Sequence, residues 1–173
     1  MRDDYESGSV NTVANSFHYA ALRAVENLAS ALGRTEDRIK YGQEADRVRH
    51  AMKKCLYDPA TGLFVDSEGS KHSSLHANMF PVAFEAVAPE PDSPIARFLA
   101  SREMVCSVWG AQFFLEALFR TGHAGRALEL MTSDSERGWL NMIHQGATMT
   151  MESWSDAMKP AQDWNHPWAT APA

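Results

Sequence analysis

Glu152 stands in the last quarter of the chain, in GATMTMESWSDAMKPAQDWNHPWATAPA, among Trp154, Asp156, Asp163, Trp164, His166 and Trp168. Three of the five tryptophans fall in this window. Pro160, Pro167 and Pro172 interrupt it, which leaves little room for a long helix. A loop dense in Trp, His and carboxylates makes a poor core element and a good pocket wall. Flat indoles cover the apolar faces of sugar rings, while carboxylates and imidazole read hydroxyls, so the combination points to carbohydrate chemistry. Glu152, beside Trp154, is the best-placed group to hold a water near an anomeric carbon. From spacing alone it reads equally well as a helix-start or ion-paired glutamate. His166 is placed to meet a substrate hydroxyl, or to be a satisfied structural histidine. Trp154, Trp164 and Trp168 are candidates to stack on a sugar, with one or two of them expected to anchor the loop by packing.

A second polar group lies in HSSLHANMF. His72 and His76 are four apart and would share a face of one helix. The zinc-like spacing lacks the glutamate of a zinc protease motif, so metal binding is not expected. His76 and Asn78 read instead as helix caps or pocket lining. Trp109 opens an apolar helix, a place compatible with the core or with the pocket mouth. Glycine-rich phosphate loops and a serine elbow are absent. Cys55 and Cys106 sit beside apolar residues, lack a basic partner and read as small core side chains.

The elements that must position these groups are helical hairpins. Val10, Val13, Ala14, Phe17, Ala21, Ala24, Val25, Leu28 and Leu32 recur at helical spacing and predict an apolar face. Gly33 ends that helix and Thr35 is expected to cap the next, whose apolar positions are Ile39, Ala45, Val48, Met52, Cys55 and Leu56. So short a link makes the two antiparallel. Asp58-Pro59 and Gly62 form a turn, and residues 62–72 a short strand or extended loop. Helices are expected over 74–87, disturbed by Pro81, then 95–101, 107–120, 124–132 and 138–143. Pro89, Pro91 and Pro94 mark a surface loop. The whole chain, 1–173, reads as one all-α domain built from helical hairpins. Solenoids repeat regularly, whereas these connections are unequal and the long ones carry the polar side chains. That favours a closed α/α toroid, or part of one, whose loops wall a central pocket.

With 173 residues the chain is long enough for one domain with its own core. Its net charge of −6, without a basic stripe, disfavours nucleic acid. No apolar run approaches the roughly 20 residues of a membrane span, and MRDDYESGS has no signal-peptide character. Where the parent protein resides is left open.

The segment TMTMESW…DWNHPW, together with HANMFPVAF, VCSVWGAQFFLEALF and the opening NTVANSFHYAALRAVENLASALGR, resembles the catalytic domain of bacterial α-L-rhamnosidases over nearly the whole chain. The resemblance implies an (α/α)6 six-hairpin toroid that removes terminal α-L-rhamnose with inversion, needing no metal or organic cofactor. Inversion uses an acid and a base with carboxyls roughly 6.5–9.5 Å apart. Glu152 matches the family's general base and His166 a sugar-contacting histidine. Trp154 and Trp168 match the aromatic wall, with Trp109 and His76 as further pocket members. The family's acidic motif DxxxRDERxGWxGD, which holds the general acid, has no counterpart here. The chain therefore reads as the second half of the barrel, a fragment whose exposed faces favour self-association. Two other readings stay open: a non-catalytic helical-repeat binding module, and an (α/α)6 hydrolase acting on another sugar.

Overall fold

The computed structural model describes residues 3–167. Seven helices and one small hairpin follow in order: α1 (Thr12–Ala31), α2 (Thr35–Cys55), β1 (Tyr57–Asp58), β2 (Leu63–Phe64), α3 (Leu75–Ala83), α4 (Pro94–Ala100), α5 (Val108–Arg120), α6 (Ala124–Met131) and α7 (Trp139–His144). The all-α expectation holds, and the helices fall within a few residues of their expected places. Four starts are set by side chains that accept a backbone N–H of the first turn. Asn11 accepts from Ala14, Ser74 from Ala77, Ser93 from Ala96 and Ser107 from Gly110. Ser74 and Ser107 are thus caps and not first helical residues.

Two expectations need correction. Thr35 is the first residue of α2, not its cap, and Arg34 at the cap position makes no capping bond, its side chain pairing with Asp37 at 2.7 Å instead. The helix expected over 74–87 ends at Ala83, because Pro81 supplies no N–H for the ladder and Glu85 takes a positive φ of 60°. Residues 62–72 hold the short strand β2, paired antiparallel with β1, and then an extended loop, in keeping with expectation, in which Ser67 bridges to Asn11. Gly62 closes that hairpin at a φ of +73°, and a Cβ there would lie 2.7 Å from the Pro94 ring.

The helices form two rows. α1 packs on α2 and α3, and α3 packs on α5, making α1, α3 and α5 an inner row. α2, α4 and α6 flank them, each against a member of that row. The core lies between the rows and includes Phe64, Leu75, Met79, Leu99, Val108, Phe114 and Leu118. Asn78, fully buried, stitches β2 to α3. Its Oδ1 accepts from the Phe64 N–H at 2.9 Å, while its Nδ2 donates to the carbonyls of Phe64 and Ser74 at 3.0 Å each.

The starts of the inner helices gather at one end. The Thr12 N–H donates to the Asp66 carbonyl at 2.9 Å. The buried Asp66 carboxylate accepts from the N–H groups of Glu6 and Ser74, both at 2.9 Å, and from His72 Nδ1 at 2.6 Å. Asp3 accepts from the Leu75 N–H at the start of α3 and from Arg102 ahead of α5.

α1 is turned differently from expectation. It buries Thr12, Ser16, Tyr19 and Ala29, while Val10, Phe17, Val25, Leu28 and Leu32 stay 36–73 % exposed. The stripe is apolar as expected, but only part of it is covered: Val13 packs on the core and Phe17 meets Phe80, Phe84, Trp109 and Phe113, while Leu28 and Leu32 lie open.

Candidate active site at the open end of the inner helices

The segment after α7 folds back on itself. Glu152 N–H donates to the Asp163 carbonyl and His166 N–H to the Thr150 carbonyl, both at 2.9 Å. These two rungs set 150–152 against 163–166 and bring Glu152 and His166 together. Buried Gln162 fills the inside of the loop. Its Oε1 accepts from the Ser153 N–H at 2.6 Å and its Nε2 donates to Asp156 Oδ1 at 2.9 Å. The same Asp156 oxygen accepts from Trp164 Nε1 at 2.9 Å.

Trp154 fixes this loop to the domain. It is 2 % exposed, its Nε1 donates to the Cys106 carbonyl at 2.8 Å, and its ring meets Trp139 edge-on with centroids 5.0 Å apart. An indole so enclosed has no face to offer a sugar. Its place is that of an anchor joining the Glu152 loop to the start of α5. Trp164, by contrast, is 40 % exposed with its N–H already engaged, and so presents a ring face. Trp168 lies outside the described residues.

The Glu152 carboxylate is partly exposed. Lys159 Nζ donates to Oε1, and the Asp163 N–H donates to Oε2 at 3.4 Å. The Lys159 bond, then the Asp163 amide, then the charges of Lys159 and His166 hold Glu152 below the usual glutamate range. The His166 ring is mostly covered, and its Nδ1 lies 3.5 Å from Asp163 Oδ2. Lys159 and Gln162 were not foreseen as site residues. A lysine seven residues beyond a glutamate carries no loop signal, and a buried glutamine carries none at all.

Trp109 and His76 belong to a second, aromatic group. Trp109, 43 % exposed at the start of α5, stacks on Phe17 of α1, with centroids 6.2 Å apart and planes 15° apart. Phe17 also meets Phe80 at 4.9 Å, and Phe80 meets His76 at 6.2 Å. Tyr5 closes the row, 6.4 Å from His76. His72 is not on the helix with His76. It precedes α3 and is held by Asp66. Among the described residues no group of three or more His, Cys, Asp or Glu could hold a metal ion.

The loop thus carries an ionised carboxylate, a histidine and an exposed indole, and Trp154 ties it to the segment ahead of α5, the helix that bears Trp109. The family model of the bacterial alpha-L-rhamnosidase six-hairpin glycosidase domain matches residues 1–173. The chain belongs to that family. The assignment makes it glycoside-hydrolase-like and accounts for the hairpin architecture. No curated protein matches the chain at a significant level.

Proposed function

We propose that this chain is part of an inverting glycosidase that releases terminal α-L-rhamnose, with Glu152 as the general base. The supporting observation is the state of Glu152. A base that takes a proton from water must be ionised when substrate binds. Lys159 and the Asp163 amide keep Glu152 ionised through the neutral range, and two of its roughly four lone-pair sites remain for a water. His166 and Trp164 are placed to hold the ring, one by hydrogen bonding and one by stacking. Trp109 and His76 extend the wall. Trp154 contributes by anchoring.

The general acid lies outside this chain in our reading. Asp156 and Asp163 are the nearby carboxylates, and both are spent on the loop's own hydrogen bonds. The fold supports the same view. A six-hairpin domain has two helices per hairpin, more than the seven found among the described residues. The molecule exposes 9595 Å² at a mass of 19.2 kDa. A compact monomer of that mass exposes about 8,400 Å². The bare face of α1 is where further helices of the barrel would pack.

The test uses leaving groups that differ in their need for an acid. A 2,4-dinitrophenyl α-L-rhamnoside departs unprotonated, so a base alone suffices. The unactivated methyl α-L-rhamnoside needs the acid. The expected result is slow hydrolysis of the first, with the β-anomer appearing initially by NMR, and no detectable hydrolysis of the second. Glu152→Gln should abolish the first reaction. Initial release of the α-anomer, or full activity in Glu152→Gln, would overturn the assignment.

A further inference from the structure

A cleft of about 710 Å³ opens on the flank of the domain, between α2, the β1–β2 hairpin and the loop joining α3 to α4. None of its lining residues belongs to the Glu152 loop or to the aromatic wall. Its volume falls within the range that small-molecule sites occupy, roughly 300–1,000 Å³.

The two walls differ in chemistry. Asp46, Arg49, His50 and Lys53 line one side and are spaced i, i+3, i+4 and i+7 on α2. That spacing aims one stripe of the helix into the cleft. The opposite side is apolar, with Val87, Pro89, Pro94 and Ile95. Tyr57 and Phe64, packed edge to face at 5.3 Å, lie beneath. The Gly62–Pro94 contact holds the β-hairpin against the start of α4 and keeps this shape.

The charge balance inside the cleft is positive, in a chain whose net charge is −6. Its one lining carboxylate, Asp46, is already shared by two guanidinium groups, Arg23 at 2.7 Å and Arg49 at 3.0 Å. Lys53 has no carboxylate within ion-pair distance among the described residues. An acidic protein that sets exposed cations along the rim of an apolar, proline-lined slot presents the complement of an amphipathic anion.

We propose that this cleft binds a small organic anion, its carboxylate against Lys53 and Arg49 and its flat or aliphatic body against Pro89, Pro94 and Ile95. The site is independent of the Glu152 reading and stands whichever sugar that loop accepts.

The probe is trans-cinnamate, with neutral trans-cinnamamide as a shape-matched control. Titration of the ¹⁵N-labelled chain should shift the amides of Val87, Ala88, Ser93 and Ile95, which line the cleft, and the amide compound should leave them unmoved. Lys53→Glu changes an exposed side chain, and circular dichroism checks its fold. It should weaken cinnamate about tenfold, as expected when a close opposite charge becomes a like one in a partly solvated site. No shift up to millimolar cinnamate would overturn the proposal. So would equal binding of cinnamamide, shifts confined to other regions, or unchanged affinity in the folded Lys53→Glu chain. The Glu152 hypothesis fails or survives by the rhamnoside assay, which this cleft does not enter.

Discussion

Trp154 Nε1 donates to the carbonyl of Cys106 across 2.8 Å, joining the loop that carries Glu152 to the residue before the cap of α5. The bond is buried on both sides, so its loss leaves a carbonyl with neither protein nor solvent. Trp154→Phe keeps much of the packing against Trp139 and removes the donor. We expect a loss of about 2–3 kcal/mol in urea unfolding, combining an unsatisfied buried acceptor with a smaller ring. The same variant should slow dinitrophenyl rhamnoside hydrolysis by loosening the loop. An unchanged urea midpoint would show that the anchor lies elsewhere.

Lys159 bears on the pH profile of Glu152. Its ammonium is the largest influence holding that carboxyl below the usual glutamate range. Lys159→Met removes the charge, so the Glu152 pKa rises toward its ordinary value. The acidic limb of the rate profile should then move to higher pH, since more protons compete for the base. An acidic limb that stays put, or moves down, would mean that Lys159 does not govern the group that titrates.

Much of the fold was legible in sequence because helix periodicity, Gly33 and the Asp58–Gly62 turn are local signals. Which face of a helix meets the core is not local. The α1 stripe of Val10, Phe17, Val25 and Leu28 read as a core face, yet Val10, Val25 and Leu28 stay exposed and Phe17 joins the aromatic wall instead of the core. α1 instead buries Thr12 and Ser16, whose hydroxyls donate to the carbonyls of Val65 at 2.5 Å and Thr12 at 2.7 Å. Buried hydroxyls satisfied by backbone leave no trace in a hydropathy pattern. In the candidate site, Glu152 and His166 drew notice through residue type, and the structure sets them on neighbouring arms of one loop. That one indole of the loop would anchor it was legible, but not that it would be Trp154, because sequence does not say which of two indoles in one loop faces inward. Cys55 likewise read as core and is exposed, as the last residue of a largely polar helix.

Asn78 is the clearest case of a polar residue fixed by structure alone. It satisfies three backbone groups at the junction of β2 and α3. Asn78→Ala strands the Phe64 N–H and carbonyl in the interior. The expected cost is about 2–4 kcal/mol in chemical unfolding, with the helix content of the folded state unchanged. A cost comparable to that of a surface substitution would mean that β2 repairs its bonds elsewhere.

His72 couples stability to pH with a definite sign. Its hydrogen bond to Asp66 is the main cause of a pKa raised above the ordinary histidine value. The raised group favours the folded state fully below the unfolded pKa, near 6.5, and that contribution fades as pH climbs through the folded pKa. The imidazole is 38 % exposed, so screening keeps the effect to at most about 1 kcal/mol. Thermal scans should show stability falling from pH 6 toward pH 9, and His72→Gln should flatten that slope. A slope identical in the two proteins would remove His72 as its cause.

The two thiols should separate cleanly by reactivity. Both cysteines are free, Cys55 exposed on α2 and Cys106 buried ahead of α5. Burial pushes the Cys106 thiol up to about 12, so almost no thiolate exists there at neutral pH. Ellman's reagent should therefore modify one thiol per native chain, and Cys55→Ser should abolish that rapid phase. The second thiol should react only as the chain unfolds. Because Cys106 also offers its carbonyl to Trp154, its exposure reports the opening of the segment that anchors the Glu152 loop. In Trp154→Phe the slow phase should accelerate by more than global unfolding accounts for. Equal native-state protection of Cys106 in the two proteins would show that this segment opens only with the whole domain.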